Sequence, residues 1–230
     1  MNQSTFDEQF VRFEQMSRAD GRFTPKREDF FPCLGDDTAE TPVDPHYHFH
    51  VNWAARKLAE LNPVEHHDFG SFLHFSSICS AFVPTTFYDI RPLKVVTPGL
   101  KMRAADLTAL PIEDGSLFSM SCLHVIEHVG LGRYGDKLDA QGDKKAAKEL
   151  ARVLMPGGQL LIVAPLEDPP RICFHAHRLY NPQQVEDLFP TLAVEEFTLI
   201  TNESEIFDKV NYDMAKGRIY ACGCWVLSKP

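Results

Sequence analysis

Residues 149–165 read ELARVLMPGGQLLIVAP and join a helix pattern to a buried strand pattern. The helix pattern covers residues 143–154, where small and apolar residues recur on one face. Pro156 and the two glycines after it are predicted to stop this helix, because proline cannot continue a helix and glycine tolerates positive φ. Residues 159–164 form a strand pattern that is continuously apolar after Gln159, which is typical of a strand covered on both faces. This segment therefore indicates a helix packed on a buried sheet.

Helix and strand patterns alternate through most of the chain. Further helices are predicted at 51–61, 72–82 and 182–189. Strands are predicted before Gly70 and at 85–90, 100–105, 117–124, 159–164, 193–201 and 219–227. Strands that alternate with helices are typical of an α/β protein with a doubly wound, mostly parallel sheet. The last two strands have no helix between them. We therefore predict seven strands, with an antiparallel strand at the C-terminal edge.

Residues 1–45 differ in pattern from residues 46–230. Phe6, Phe10 and Phe13 fall on one helical face, and Ser4 with Asp7 forms a predicted capping box. An irregular, proline-containing stretch follows. We predict an N-terminal helix and a long loop that cap the main domain.

Composition narrows the possible partners. The chain has 230 residues and a net charge of −9, which disfavours binding to nucleic acid or anionic lipid. There is no apolar run long enough to span a membrane, and the first residues lack the pattern of a signal peptide. The six cysteines form no C-x-x-C pair, so reduced thiols are expected. We predict a cytoplasmic protein with a small-molecule partner and no nucleic acid or membrane partner. The oligomeric state is left open.

Acidic residues and a glycine follow the first three predicted strands. Gly70 ends the first, Asp89 the second, and Asp106 with Leu107 the third. Ligands of such sheets bind outside the carboxyl ends of the strands, and an acid there accepts hydrogen bonds from ribose hydroxyls. Asp106 could accept from an adenine amino group, with Leu107 packed on the ring. The alternative is that these are ordinary turn residues.

The loop after the first strand has no G-x-G-x-x-G pattern, since residues 70–75 read GSFLHF. Without those glycines, and with acids nearby, a pyrophosphate would be poorly accommodated, which disfavours NAD and FAD. Among the common cofactors that contain a nucleoside, this leaves those without phosphates, and S-adenosylmethionine is such a cofactor.

Three runs resemble the class I S-adenosylmethionine-dependent methyltransferases, which are Rossmann-like: 106–115 (DLTALPIEDG), 121–128 (SCLHVIEH) and 149–165. More narrowly, residues 130–136 (GLGRYGD) and the ending YACGCWVLSK are similar to a poorly characterised bacterial branch, a domain of unknown function often encoded among surface-polysaccharide genes. That branch has a glycine-poor first motif, as here, where Phe72 and His74 replace glycine. The resemblance implies that S-adenosylmethionine contacts Gly70, Ser71, Asp89, Asp106 and Leu107.

The histidines of residues 124–128 (HVIEH) are candidate catalytic groups. In the methyltransferase interpretation, His124 or His128 is a general base for a hydroxyl acceptor, because imidazole titrates near neutral pH. The alternative is structural, with Glu127 and His128 bonded to the helix that follows. The same letters match the H-x-x-E-H pattern of zinc hydrolases, but that pattern needs a helix and a strand pattern precedes it here.

Three further histidines alternate along the chain, at His46, His48 and His50. In an extended segment they would share one side and could hold a metal. Because no cysteine or acid is spaced to complete such a site, we predict that they line a pocket or a surface, and we predict no metal site.

The loop after His128 is predicted to hold the methyl acceptor. The candidate residues are Arg133, Tyr134, Asp136, His177 and Arg178. Arginine there would favour a phosphate or carboxylate through paired hydrogen bonds. The alternative is a solvated loop.

The sequence therefore predicts an enzyme that transfers a methyl group from S-adenosylmethionine to a small polar acceptor. A hydroxyl of a sugar or sugar nucleotide, used in polysaccharide biosynthesis, is the expected acceptor by analogy with the bacterial branch. Two alternatives stay open: an inactive binding or scaffold protein of the same fold, and a zinc-dependent hydrolase.

Overall fold

The computed structural model describes residues 1–91 and 94–230. By its internal packing the chain divides into two units, Met1–Val43 and Asp44–Pro230. Within the described residues, no helix is both long and apolar enough to cross a membrane.

The elements are numbered in chain order. The helices are α1 (Gln3–Asp20), α2 (Pro45–Leu61), α3 (Leu73–Cys79), α4 (Gly142–Val153) and α5 (Pro182–Leu188). The strands are β1 (His66–Phe69), β2 (Thr85–Asp89), β3 (Leu100–Ala104), β4 (Leu117–Leu123), β5 (Leu154–Leu166), β6 (Arg171–Cys173), β7 (His177–Leu179), β8 (Ala193–Thr201), β9 (Ile206–Phe207) and β10 (Ala221–Ser228). Short 3-10 helices cover Arg27–Asp29, Ile126–His128 and Tyr212–Ala215.

The main sheet has the order β3-β2-β1-β4-β5-β10-β8-β9. Strands β1 to β5 pair in parallel, while β10 is antiparallel to both β5 and β8. This confirms the predicted doubly wound, mostly parallel fold with an antiparallel edge. The C-terminal strand is not itself at that edge, because β10 lies between β5 and β8, and the short β9 adds an eighth strand to the seven that were predicted. The strand order reverses between β1 and β4, which is where ligands bind in such sheets.

The sheet is covered on both faces by apolar clusters. One cluster contains Ala147 and Leu150 of α4 together with Trp225 of β10. The other contains Trp53 of α2 together with Cys222 of β10. Successive side chains of a strand point to opposite faces, so β10 contributes to both clusters. A strand buried on both sides explains the apolar run in β5 as well.

The start of β5 differs from the prediction. The strand begins at Leu154, directly after α4, and the pairing with β4 shifts register so that residues 155–158 bulge outward. The helix therefore ends at Val153, before the predicted stop at Pro156, and the strand starts five residues earlier than the predicted 159. Nζ of Lys229 donates to the carbonyls of Ala151 and Leu154 at 2.9 and 2.7 Å, and so satisfies carbonyls that the end of α4 leaves without a partner in the helix.

The segment that carries His46, His48 and His50 is helical, so the extended arrangement that would have placed all three on one side does not occur. Asp44 caps α2 by accepting a hydrogen bond from the Tyr47 backbone N–H at 3.1 Å, and Pro45 occupies the first turn. Both features favour a helix start. His46 and His50 lie one turn apart and are buried, whereas His48 is exposed.

The unit Met1–Val43 contains the predicted N-terminal helix. Phe6 and Phe10 pack edge-on against Phe30, with ring centroids 5.0 and 4.5 Å apart. The predicted capping box at Ser4 is wrong, because Asn2 is the cap and accepts from the Thr5 backbone N–H at 2.9 Å.

Gly223 offers a test of the packing around β10. A Cβ at this position would lie 2.4 Å from Cη2 of Trp225 and 2.8 Å from Cδ1 of Leu166. We expect Gly223→Ala to lower the free energy of unfolding by about 1–3 kcal/mol through overpacking. Urea unfolding measures this change. Gly35→Ala is the control, since a Cβ there meets nothing within 4 Å. Equal midpoints for both variants would contradict the packing described.

Candidate functional site

A cavity of about 300 Å³ opens at the carboxyl ends of β1 to β4. The five residues predicted to contact a cofactor all line it: Gly70, Ser71, Asp89, Asp106 and Leu107. Its volume is at the lower end of the range for small-molecule sites. The structure therefore brings together the residues that end three successive strands.

Gly70 follows β1 directly and has a φ of +72°, a conformation that glycine adopts without strain. Its backbone N–H donates to the carbonyl of Tyr88 at 2.8 Å. A Cβ at this position would lie 3.1 Å from Cγ1 of Val125, in the loop after β4. Glycine thus lets the loops that follow β1 and β4 approach each other closely.

Asp68, at the centre of β1, anchors the loop that contains Ser71. Its buried carboxylate accepts hydrogen bonds from the hydroxyls of Ser71, Ser76 and Ser121, the last at 2.6 Å. The Ser71 oxygen in turn accepts from the Leu123 backbone N–H at 3.0 Å. Burial raises the pKa of Asp68 to about 6, although the three hydroxyls favour the charged form. Sequence analysis missed this role, which the serines around Asp68 could have indicated.

Asp89 and Asp106 are oriented by short-range hydrogen bonds. Oδ1 of Asp89 accepts from the Arg91 backbone N–H at 2.6 Å. Oδ1 of Asp106 accepts from the Thr108 backbone N–H at 2.8 Å and from its hydroxyl at 2.7 Å. These are the bonds of ordinary turn residues, yet both acids also line the cavity. The turn interpretation and the binding interpretation are therefore compatible.

Aromatic rings occupy the positions where dinucleotide-binding loops have glycine. Phe72 lines the cavity and remains 48% exposed. Its ring stacks on His74, with centroids 4.6 Å apart, and lies edge-on to Tyr47 at 5.9 Å. The loop after β1 therefore presents an apolar wall, where a phosphate-binding loop would present open backbone N–H groups.

Glu127 is a buried carboxylate that contacts both candidate catalytic histidines. Its Oε1 lies 3.0 Å from Nδ1 of His124 and 3.8 Å from Nε2 of His128. Burial opposes the charge of Glu127, but the bond from His124 and the nearby imidazoles hold the pKa of this carboxyl below its usual range. Sequence analysis gave Glu127 no site role, although its position between two histidines was the available signal.

His124 directly follows β4 and has a φ of 55°, which is uncommon for a residue other than glycine. Its Nε2 lies 3.4 Å from Sγ of Cys222, so both ring nitrogens have partners. Burial opposes protonation of His124, yet its contacts with Cys222 and Glu127 raise the pKa of this imidazole. His124 is therefore engaged on both sides of its ring.

His128 has one engaged nitrogen and one available nitrogen. Its Nδ1 lies 2.6 Å from the carbonyl oxygen of Ala176, which can only accept a hydrogen bond. Nδ1 therefore carries the proton, and Nε2 of the neutral ring has a free lone pair. The 3-10 helix Ile126–His128 follows a strand, so the two histidines do not share an α-helical face as the zinc-hydrolase pattern requires.

A second, polar cavity of about 110 Å³ shares His124, His128 and Tyr134 with the first. Two more of the predicted acceptor residues, Arg133 and His177, line it. His46, which was predicted to line a pocket or a surface, also lines it, together with residues that sequence analysis did not propose: Asp44, Tyr47, Glu127, Pro165 and Tyr220. They come from distant parts of the chain, and no local pattern relates them.

Two predicted acceptor residues have structural partners instead. Arg178 is buried, lines neither cavity, donates to the Val129 carbonyl at 2.8 Å and pairs with Asp143 at 3.4 Å. Its predicted role in holding the acceptor is therefore wrong. Asp136 lines the first cavity, but its carboxylate accepts from the backbone N–H groups of residues 130, 132 and 134. It organises the glycine-rich loop.

Solved structures with similar folds were found at low sequence identity. The [4+2]-cyclase SpnF has a TM-score of 0.57 at 11% identity, covering 79% of this chain and 80% of that chain. The N-methyltransferase NodS from Bradyrhizobium japonicum, solved with S-adenosyl-L-homocysteine, has a TM-score of 0.56 at 13% identity, covering 86% and 94%. A putative sarcosine dimethylglycine methyltransferase from Galdieria sulphuraria has a TM-score of 0.56 at 15% identity, covering 78% and 85%. The fold is that of the S-adenosylmethionine-dependent methyltransferases.

One family model matches residues 115–211, which is less than half of the chain. It is described as "Caenorhabditis protein of unknown function, DUF268". This description does not support the bacterial origin or the association with polysaccharides that the resemblance implied. No curated protein matches the chain by sequence.

Asp68 predicts a pH dependence of stability. Its pKa is raised from an ordinary 3.8 to about 6, so the folded state holds this proton more tightly than the unfolded state. The contribution of Asp68 is then full below pH 4 and is lost as the pH rises through 6. Relative to Asp68→Asn, the wild type should lose on the order of 2–3 kcal/mol of unfolding free energy between pH 4 and 7. Urea unfolding across that range measures the difference, and parallel profiles would refute it.

Proposed function

We propose that the protein is an S-adenosylmethionine-dependent methyltransferase that acts on a small polar acceptor. The observation that carries the proposal is the single cavity lined by Gly70, Asp89 and Asp106, which end three successive parallel strands. Residues in these positions suit a nucleoside: the acids can accept from ribose hydroxyls and an adenine amino group, and Leu107 can pack against the base. Bound S-adenosylmethionine would supply an electrophilic methyl group.

The charges and walls of this cavity favour that cofactor over a dinucleotide. Asp89, Asp106 and Asp136 line it, and they complement a sulfonium cation but repel a pyrophosphate. Phe72 adds an apolar wall at the position where a phosphate would need exposed backbone N–H groups as hydrogen-bond donors. The fit is therefore supported by charge, shape and hydrogen-bonding capacity at the same sheet edge.

His128 is the proposed general base. Its Nδ1 is bonded to the Ala176 carbonyl, so Nε2 is the nitrogen that can take a proton from an acceptor hydroxyl. The Glu127 carboxylate, 3.8 Å from that nitrogen, would stabilise the resulting imidazolium. His124 is less suited, because Glu127 and Cys222 engage both of its nitrogens. His128 lines both cavities, as a base between cofactor and acceptor must.

The second cavity is the proposed acceptor site. Arg133 and His177 line it. The Arg133 guanidinium donates one hydrogen bond, of 3.3 Å, to the Ala176 carbonyl. Its remaining donors suit a phosphate or carboxylate on the acceptor. A sugar or sugar-nucleotide hydroxyl meets these requirements and remains our proposed acceptor class. Most of the rate enhancement would come from positioning.

A binding protein without turnover is the second candidate. Phe72 and His74 stack where other nucleotide-binding loops have glycine, and they could block productive binding of the methionine end. The similar fold of a cyclase also shows that this architecture is not restricted to methyl transfer. Cofactor affinity and turnover, measured separately, distinguish the two candidates.

Cofactor binding depends on Asp89 if the cavity holds a nucleoside. Asp89→Ala should weaken S-adenosylmethionine binding by at least about 1 kcal/mol, or roughly fivefold, because ribose hydroxyls lose a charged partner. Isothermal titration calorimetry measures the dissociation constant. Asp187→Ala, an exposed acid on α5, is the control and should bind as the wild type does. No binding by folded wild type at millimolar cofactor would refute the proposal.

Turnover should depend on His128 far more than cofactor affinity does. His128→Ala is expected to slow methyl transfer about 10²–10⁴-fold, the usual contribution of a general base, with an unchanged dissociation constant for the cofactor. Formation of S-adenosyl-L-homocysteine with a panel of sugar nucleotides and phosphorylated sugars gives the rate. His48→Ala replaces an exposed histidine of α2 and is the control. Full turnover by the His128→Ala variant would contradict the general-base role and would leave His128 with a structural role only.

A further inference from the structure

Three side chains from separate elements converge beneath the polar cavity. They are His50 on α2, His124 at the end of β4 and Cys222 on β10, and their potential ligand atoms all lie within 4.8 Å of one another. His50 and Cys222 are fully buried. They lie more than 70 residues apart in the chain, so no local spacing of residues in the sequence predicts the cluster.

His50 leaves a buried nitrogen without a partner. Its Nδ1 lies 2.6 Å from the His46 carbonyl oxygen, so Nδ1 carries the hydrogen and Nε2 carries the lone pair. Among the residues that the structure describes, none bonds to that Nε2. Burying a polar atom without a partner is costly, and native proteins leave few such atoms. A neutral imidazole nitrogen of this kind is able to act as a metal ligand.

The imidazole of His124 is also oriented as a metal ligand would be. Glu127 engages its Nδ1, and a carboxylate bonded to a histidine in this way orients the imidazole and makes it a stronger metal ligand. Its Nε2 lies 3.4 Å from Sγ of Cys222. Nitrogen and sulfur ligands at about 2.1 and 2.3 Å from one tetrahedral zinc ion lie about 3.6 Å apart. The observed separation is close to that value.

We propose that Nε2 of His50, Nε2 of His124 and Sγ of Cys222 bind a zinc ion. Imidazole and thiolate are the ligands that Zn²⁺ prefers, and three protein ligands leave a fourth position for water. Binding releases the Cys222 thiol proton to solvent and forms the zinc–thiolate bond. The divalent charge then balances the thiolate and the buried Glu127 carboxylate.

The zinc site has a consequence for the candidate catalytic groups. His124 becomes a ligand and is no longer a candidate base, which leaves His128 in that role. His124 also lines both cavities, so the ion would lie at the boundary of the proposed acceptor site. The site itself does not depend on methyl transfer, since metal content can be measured without cofactor or acceptor.

Zinc titration of the full-length protein tests the site. Protein stripped with a chelator and then dialysed should take up one zinc ion per chain in competition with a chromophoric chelator. Cobalt(II) should bind in its place and produce an intense visible spectrum of a tetrahedral ion with a thiolate-to-cobalt charge-transfer band. Failure of the folded wild type to bind either ion stoichiometrically would overturn the proposal.

Variants with matched controls locate the ion. His50→Ala and Cys222→Ala should each lower zinc affinity at least about 100-fold, and Cys222→Ala should also abolish the charge-transfer band. Glu127→Gln should lower affinity about 10–100-fold through the orientation of His124. The controls are Cys224→Ala, buried on the same strand, and His48→Ala, exposed on the same helix. If the controls lose as much affinity as His50→Ala and Cys222→Ala do, the ion binds elsewhere and the assignment is wrong.

Discussion

The hydrogen bonds between the buried Asp68 carboxylate and three serine hydroxyls are the constraint on which the site depends. Ser71 belongs to the loop after β1, Ser76 to α3 and Ser121 to β4. A carboxylate without water is costly to bury unless hydrogen bonds replace the lost hydration. The same three bonds that satisfy Asp68 therefore hold strand, loop and helix in one arrangement, beside Gly70, which packs against Val125 in the loop that carries His124 and His128.

Glu127 is a second buried carboxylate in the site, but among the described residues only its Oε1 has a hydrogen-bond partner. Its buried carboxylate is bonded to His124 and lies near His128, while Arg178 donates to the backbone carbonyls of residues 127 and 129 in the same turn. Arg178 therefore contributes to the site by holding the turn, although it touches neither cavity. Through Asp68 and Arg178, the loops that follow β1 and β4 are therefore hydrogen-bonded to neighbouring elements.

The two cavities divide the proposed chemistry between them. The larger has acids at strand ends and apolar walls, as a nucleoside requires, and the smaller is lined mainly by polar and aromatic side chains. His124, His128 and Tyr134 belong to both. His124 also belongs to the cluster with His50 and Cys222, in which α2 meets β10. Cofactor, acceptor and the proposed ion would thus meet at one set of histidines.

The sequence alone determined the parallel sheet and the first cavity, because periodicity and strand-end residues are local properties. Gly70, Asp89 and Asp106 could be assigned to one cleft since parallel strands end at the same edge. The sequence could not determine the partners of Arg178 or the cluster around Cys222, because these depend on contacts between elements that are distant in the chain. The histidines at 46, 48 and 50 show the limit: their alternation would have placed all three on one side of an extended segment, but the Asp44 cap and Pro45 start a helix. Helical packing then buried His46 and His50 and left His48 exposed, because residues four apart share a helical face and residues two apart do not.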